Sequence, residues 1–148
     1  MAENENAILS ENLFFLAGAF SRRLSGEADE AFATSGLSSS HALILVLVQR
    51  SPGIRPSELA DKLYLKPSTI TRLVQKLERR GFVDRSTEGR ATSVVCTDEG
   101  SRQADEIEAK WEELLDGKRE KLGERYVEVL SEMITNALET MESRTEQG

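Results

Sequence analysis

Basic side chains concentrate in the middle of this 148-residue chain. Residues 50–90 hold ten basic and five acidic residues, a net charge of +5, whereas residues 1–49 and 91–148 carry −4 and −8. The basic residues are Arg50, Arg55, Lys62, Lys66, Arg72, Lys76, Arg79, Arg80, Arg85 and Arg90. Because salt screens exposed charges beyond about 8 Å, a local excess can bind phosphate although the whole chain carries −7. The middle segment is therefore a candidate surface for nucleic acid.

Residues 67–80 predict a helix with two chemically different faces. At 3.6 residues per turn, one side is apolar and carries Ile70, Leu73, Val74 and Leu77. The opposite side carries Ser68, Arg72, Gln75 and Arg79, and it is flanked by Thr69, Thr71 and Lys76. Arginine binds guanine edges, glutamine binds adenine, and serine or threonine binds phosphates or bases. This polar face contains no acidic residue, so it is suited to the major groove of DNA.

Two helical segments of this region begin with the same pattern, Arg55-Pro56-Ser57 and Lys66-Pro67-Ser68. Proline suits the first helical position, but a basic residue in the capping position is unfavourable because its charge opposes the helix dipole. Phosphates docked at both helix starts would offset that cost, since backbone N–H groups and side-chain charge would bind them together. The alternative is that both side chains point into water, which explains Arg55 equally well.

Catalytic chemistry has little support in the composition. The single histidine, His41, and the single cysteine, Cys96, cannot form a Cys/His zinc site or an internal disulfide. The glycine-rich loops GxGxxG and GxxxxGKS/T, which bind nucleotide phosphates, are missing. The longest apolar run, residues 42–48, is too short to span a bilayer, and the acidic amino terminus does not resemble a secretory leader. We expect a cytoplasmic protein that is not an enzyme and has no metal or cofactor.

Hydrophobic spacing predicts a mostly helical chain with one β-hairpin. The expected helices cover residues 7–33 as one long helix, 56–63, 67–80, a stretch after Thr97, and 124–142, with a break near 117–123 before the last. The hairpin strands are expected over 82–85 and 92–96, around a polar loop that contains Gly89. Residues 42–48 are apolar nearly all round, which does not distinguish a buried helix from a strand. The broad apolar stripes of the first and last helices need a partner surface, which a symmetric dimer would supply.

The run SELADKLYLKPSTITRLVQKLERRGFVDR, followed by EGRATSVVCTDEG, resembles the winged helix-turn-helix of the MarR family of transcriptional regulators. The matching pieces are Leu59-Ala60, Ser68 to Val74, Leu77-Glu78 with Gly81, Arg85, Arg90, and Thr97 with Gly100. The resemblance covers nearly the whole chain. It implies a mainly α fold with a small β-hairpin wing, and a dimer formed by the N- and C-terminal helices. It also assigns residues 42–48 to a helix.

The resemblance further implies a homodimer that binds a pseudo-palindromic operator in double-stranded DNA. One continuous fold would comprise an N-terminal dimerisation helix over residues 1–36, a DNA-binding lobe over 37–96 and C-terminal dimerisation helices over 97–148. The helix at 67–80 would lie in the major groove with Arg72 at its centre, and Arg90 at the wing tip would reach the minor groove. The predicted DNA contacts are Arg55, Lys66, Ser68, Thr69, Thr71, Arg72, Gln75, Lys76, Arg79, Arg85 and Arg90.

Members of this family commonly repress transcription and release DNA when a small aromatic or anionic effector binds between the dimerisation helices and the DNA-binding lobe. His41 could line such a cavity, or it could simply bond to backbone or water at the start of a helix. The chain departs from the family pattern in four ways. Tyr64 replaces a glycine, Lys66 replaces a capping Ser or Asp, Glu88 replaces an Asp, and the wing loop over 86–91 is short. The alternative function is a winged-helix module that binds a protein instead of DNA, for which a more apolar outer helix face would be expected.

Overall fold

The structure is a computed structural model that describes residues 2–146 and the side chains of residues 5–143. The described elements are α1 (Ala2–Ser10), α2 (Leu13–Phe32), a 3₁₀ turn (Ala33–Ser35), α3 (Ser39–Arg50), α4 (Pro56–Leu63), α5 (Pro67–Arg79), β1 (Val83–Glu88), β2 (Ala91–Cys96), α6 (Asp98–Leu122) and α7 (Glu124–Glu146). The chain divides into two compact units, Met1–Glu108 and Ala109–Gly148. The mainly α fold with one hairpin is confirmed.

The N-terminal segment forms two helices, so the prediction of one long helix over residues 7–33 is wrong. The chain leaves the helical conformation at Asn12, whose φ of −90° and ψ of 103° are extended. The Oδ1 atom of Asn12 accepts a hydrogen bond from the backbone N–H of Phe15 at 3.0 Å and thereby caps α2. Apolar spacing does not reveal such a break, because the break depends on a bond between a side chain and the backbone.

The core of the first unit forms where α3 packs against α2, α5 and β2. Its fully buried side chains include Ile44, Leu45 and Val48 of α3, Ile70, Val74 and Leu77 of α5, and Val83 and Val94 of the hairpin. Burying one such side chain contributes about 1.5–3 kcal/mol. The helical assignment of residues 42–48 is therefore confirmed.

No single described helix is long and apolar enough to cross a membrane, and only the bent pair Leu13–Ser35 and Ser39–Arg50, at 71°, meets the criteria of length and composition jointly.

The hairpin is longer than the sequence predicts. Antiparallel pairing extends from Val83 opposite Cys96 to Glu88 opposite Ala91, which leaves only Gly89 and Arg90 in the turn. The φ of 62° at Gly89 suits a two-residue hairpin turn. The prediction of a loop over residues 86–91 is therefore wrong, since the polar residues that suggested a loop pair through their backbones.

The second unit consists of the end of α6 and all of α7, which are separated at Gly123 with a φ of 103°. α6 continues through Gly117 as far as Leu122. Of the predicted break near 117–123, only Gly123 therefore lies outside a helix. A single glycine costs a helix only about 1 kcal/mol, which the remainder of α6 tolerates. None of the described residues of this unit is buried. Its exposed large apolar side chains are Leu115, Leu122, Tyr126, Met133, Ile134 and Met141.

α3 begins with a capping box formed by Ser38 and His41. The backbone N–H of His41 donates to Ser38 Oγ, and the backbone N–H of Ser38 donates to His41 Nδ1, both at 3.3 Å. His41 Nδ1 must be unprotonated to accept this bond. Burial lowers the pKa of His41 from 6.5, and the positive charges of Lys76 and Arg80 lower it further. The structure thus places His41 at the helix start, bonded to backbone.

Our first prediction concerns the pH dependence of stability that His41 confers. Below pH 6.5 the unfolded chain takes up a proton that the folded chain, with its lowered His41 pKa, does not, so the free energy of unfolding decreases. This loss begins near pH 6.5 and is complete once the pH has fallen through the folded-state pKa. His41→Gln retains a capping-box side chain without this titration. Urea unfolding between about pH 7 and pH 5.5 should show a smaller loss in the variant. Equal losses in the two proteins would contradict the assignment.

A second prediction concerns the close approach of α6 to the base of the hairpin. A Cβ atom at Gly100 would lie 1.9 Å from the carbonyl oxygen of Phe82, so the backbone would have to shift. We expect Gly100→Ala to lower the free energy of unfolding by about 3 kcal/mol. Gly117, in the same helix, has no atom within 4 Å of its Cβ position. The control Gly117→Ala should therefore raise that free energy by up to about 1 kcal/mol. Urea unfolding of both variants tests this, and similar effects would refute it.

Candidate nucleic-acid interface

α4 and α5 form a helix-turn-helix joined by residues 64–66. Tyr64, in the turn, has φ 54° and ψ 38°, the left-handed conformation that glycine favours. The backbone N–H of Leu65 donates to the carbonyl of Ala60 at 3.1 Å and closes the end of α4. The departure from the family pattern at Tyr64 therefore changes the residue but not the left-handed conformation, at a cost of about 1–2 kcal/mol.

α5 buries its apolar side and exposes its polar side, as predicted. Ile70, Val74 and Leu77 are buried. On the opposite side Ser68, Thr71, Arg72 and Arg79 are exposed, while Thr69, Gln75 and Lys76 are half-buried. The side chains of Arg72 and Arg79 form no hydrogen bond or ion pair with any other described residue, so their donors are free to bind a ligand. The hydroxyl of Thr71, by contrast, already donates to the carbonyl of Pro67 at 3.0 Å.

The starts of α4 and α5 have the predicted geometry for binding anions. Arg55 and Lys66 occupy the capping positions in extended conformation, neither side chain caps its helix, and a proline follows each. Proline has no N–H, and the next amides, of Ser57 and Ser68, have no acceptor among the described residues. The guanidinium of Arg55 lies 3.9 Å from Glu58, a distance at which an exposed ion pair contributes little. Both helix starts therefore present an N–H group beside a basic side chain.

The two wing arginines have different surroundings. Arg85 forms a bidentate ion pair with Glu78 of α5, with Nη2 3.0 Å from Oε1 and Nε 3.1 Å from Oε2. The hydrogen bonds from Arg85 lower the pKa of Glu78, and the pKa of Arg85 is raised in return. Arg90 in the hairpin turn is exposed, and its side chain has no partner within the described part of the chain. Arg85 thus holds β1 against α5, while Arg90 is free.

A groove of about 610 Å³ lies between the start of α4, α5 and the hairpin. Its polar lining consists of Arg55, Ser57, Thr71, Arg85, Arg90 and Thr92, without an acidic residue. The structure therefore brings together three predicted arginines from three different elements. A concave, positively charged surface of this kind concentrates field lines and attracts phosphate.

Sequence reasoning did not single out Arg80, the residue that follows α5 and caps it. Its Nη2 donates to the carbonyl of Ser35 at 2.9 Å, across 45 positions of sequence. No local pattern could have revealed this contact, because the partner is a backbone atom of a distant turn. Arg85 was predicted from the sequence only as a DNA contact, whereas the structure pairs its guanidinium with Glu78.

Cys96 is half-buried in β2, and its thiol lies 3.7 Å from the carbonyl of Leu45. Burial raises the pKa of Cys96 to about 11, so the thiol is overwhelmingly protonated at neutral pH. Because the thiolate is the reactive form, Cys96 is poorly suited to nucleophilic chemistry. Within the described residues no group of three His, Cys, Asp or Glu side chains could hold a metal ion.

Comparison with known proteins agrees with this geometry. Residues 37–88 match the model of the MarR family. The HTH-type transcriptional repressor MdtR of Bacillus subtilis (strain 168) is 26% identical over 114 residues, which cover 75% of this chain and 68% of MdtR.

Two solved structures illustrate the likeness of fold. CouR from Rhodococcus jostii RHA1, bound to p-coumaroyl-CoA, is 26% identical with a TM-score of 0.78, over 87% of this chain and 93% of CouR. A MarR family regulator from Listeria monocytogenes, complexed with 26mer DNA, has a TM-score of 0.78 at 18% identity, over 88% of this chain and 89% of that one. With the helix-turn-helix and hairpin described above, these matches show that residues 37–88 are a MarR family segment and that the chain is similar to winged helix-turn-helix transcriptional regulators of that family.

Proposed function

We propose that this protein is a cytoplasmic, homodimeric repressor that binds a specific DNA sequence and is released by a small molecule. The observation that carries this proposal is the polar outer face of α5. It presents partner-free arginines beside Gln75 and Ser68, and the one acidic residue of the helix, Glu78, is bound to Arg85. A face of this composition suits the edges of base pairs. A face that binds protein would be enriched in aromatic side chains instead.

In this proposal the contacts divide by chemistry. Ser68, Arg72, Gln75 and Arg79 contact bases in the major groove, and Arg90 enters the minor groove. Phosphates are bound by Arg55, Lys66, Thr69, Thr71 and Lys76, for which Thr71 must rotate its hydroxyl away from Pro67. Arg85 acts mainly by fixing the hairpin, and the guanidinium donors that Glu78 does not use remain available to phosphate.

The proposed dimer rests on apolar surface that one chain leaves exposed. α1 and α2 expose Ile8, Leu9, Leu13, Phe14, Phe15, Leu16 and Phe20, with Phe14 91% accessible. The described part of the second unit buries no residue at all. Large exposed apolar patches mark interaction sites. We therefore assign dimerisation to residues 1–36 and 97–148 and DNA binding to residues 37–96, so that two copies would bind a pseudo-palindrome.

The proposed effector is an aromatic or anionic small molecule. The relative CouR was solved with p-coumaroyl-CoA, which is both aromatic and anionic. His41, if it contributes to an effector cavity, would do so through Nε2, because Nδ1 accepts the hydrogen bond from Ser38.

Selection from random DNA tests the proposal. The purified protein is mixed with a pool of random duplexes at two salt concentrations, and the bound duplexes are sequenced. We expect enrichment of a palindrome with two half-sites, and an affinity that falls steeply as salt rises. The double variant Arg72→Ala/Arg79→Ala is the matched control, since both side chains are exposed and free of partners. Absence of enrichment with the unaltered protein would refute DNA binding and favour the protein-binding alternative.

Base contacts and phosphate contacts should differ in their mutational signatures. Gln75→Ala should relax the preference at one base position of the selected operator, at a cost of about 1–3 kcal/mol for that base. Lys66→Ala should weaken all sequences alike and reduce the slope of log affinity against log salt by about one. Titrations of operator and single-base variants over a salt series measure both. If both variants lost specificity equally, this division of roles would be wrong.

A further inference from the structure

Arg80 is the C-terminal capping residue of α5, the proposed recognition helix, and its side chain reaches the turn that follows α2. Its Nη2 donates to the backbone carbonyl of Ser35 at 2.9 Å. Ser35 is the last residue of the 3₁₀ turn, where carbonyl groups carry partial negative charge. A hydrogen bond from a guanidinium to such a carbonyl is charge-assisted and stronger than a neutral one. The end of α5 is thereby tied to the end of α2.

Gly36 provides the space for this contact. It has a φ of 71°, and a Cβ atom at this position would come within 2.7 Å of Arg80 Nη1. On its other side the guanidinium carbon of Arg80 lies 5.4 Å from the centre of the Phe82 ring, within the range of a cation–π interaction. The Arg80 side chain is therefore held between the 3₁₀ turn and the first residues after α5.

The positive charge of Arg80 also influences the start of α3. Together with burial and Lys76 it lowers the pKa of His41, whose neutral Nδ1 takes part in the capping box with Ser38. α3 in turn packs against both α2 and α5. Arg80 therefore joins the turn after α2 to the end of α5 by direct contact, and its charge acts on the start of α3.

We propose that Arg80 and Gly36 form a latch that sets the position of the recognition helix relative to the end of α2. This inference rests on the proposed DNA-binding function. Arg80 is then a positioning residue that acts through the backbone of Ser35 and not a contact to DNA, in contrast to its neighbour Arg79. A displacement of α2 would be transmitted to α5 through this latch.

The test compares Arg80→Gln, Gly36→Ala and their combination in the full-length protein, using the operator obtained by selection. Each single variant should weaken operator binding by about 3- to 10-fold, and the double variant no further, because both changes remove the same contact. The slope of affinity against salt should stay at its unaltered value. Arg80→Lys should not restore binding, since an ammonium lacks the planar guanidinium that spans Ser35 and Phe82. The control Lys66→Ala, at a phosphate contact, should reduce the slope by about one and should add to Gly36→Ala.

A second measurement works without DNA. The chain has a single histidine, so NMR titration of its ring signal reports on His41 alone. Displacing the guanidinium in Gly36→Ala should raise the pKa of His41, as should Arg80→Gln, with no further rise in the double variant. Gly53→Ala is the control for backbone strain, because Gly53 has a φ of 87° but no atom within 4 Å of its Cβ position.

The two measurements separate failure of the latch from failure of the proposed function. If Gly36→Ala left the pKa of His41 unchanged, the latch would be refuted whatever DNA the protein binds. A salt slope reduced by Arg80→Gln, with an effect additive to that of Gly36→Ala, would show that Arg80 contacts phosphate and would also overturn the proposal. If the unaltered protein selected no operator while the histidine result held, only the DNA-binding function would be lost.

Discussion

The packing of α5 against α3 is the interaction on which the rest of the DNA-binding lobe depends. Ile70, Val74 and Leu77 are buried against a helix that is itself apolar nearly all round. This burial fixes the rotation of α5 about its axis, and the rotation decides which side chains face outward. α4 and the hairpin brace the same helix from either end. The polar face of α5 can lack internal partners only because the buried apolar face of the same helix stabilises its position.

The structure of one chain leaves its hydrophobic surface incompletely buried. The first unit has a closed core, whereas the described residues of the second unit have none, and the first helices expose phenylalanines and leucines. Leaving these apolar side chains in water is unfavourable, because burying each of them would contribute about 1.5–3 kcal/mol to stability. A second copy of the chain is the partner that the proposed function already requires. Folding and dimerisation are then linked, so the stability of this protein depends on its concentration.

Features determined by neighbouring residues were predictable from the sequence. Proline and apolar spacing placed α5 to within one residue. Features determined by tertiary contacts were not predictable. The helix break at Asn12 depends on one side-chain bond, and Arg80 bonds to a carbonyl 45 positions away. Arg85 was predicted to contact DNA, but its ion pair with Glu78 could not be predicted, because the sequence of a strand does not show which distant acidic residue a basic side chain will meet.

The hairpin has a mechanical consequence for recognition. Val83 and Val94 are its only buried residues, and both lie toward the base. The outer part is held by backbone hydrogen bonds and by an exposed hydrogen bond between the Thr87 and Thr92 hydroxyls at 3.4 Å, without buried apolar packing. An isolated two-stranded ribbon is only marginally stable in water. The outer part is therefore compliant, and its tip can follow minor grooves of different width. Ordering the outer part against DNA costs conformational entropy. Narrow minor grooves have the most negative potential and attract an arginine most strongly, so binding there offsets the entropy cost most. Under the proposed function, the wing therefore responds to the local shape of DNA more than to the identity of its bases.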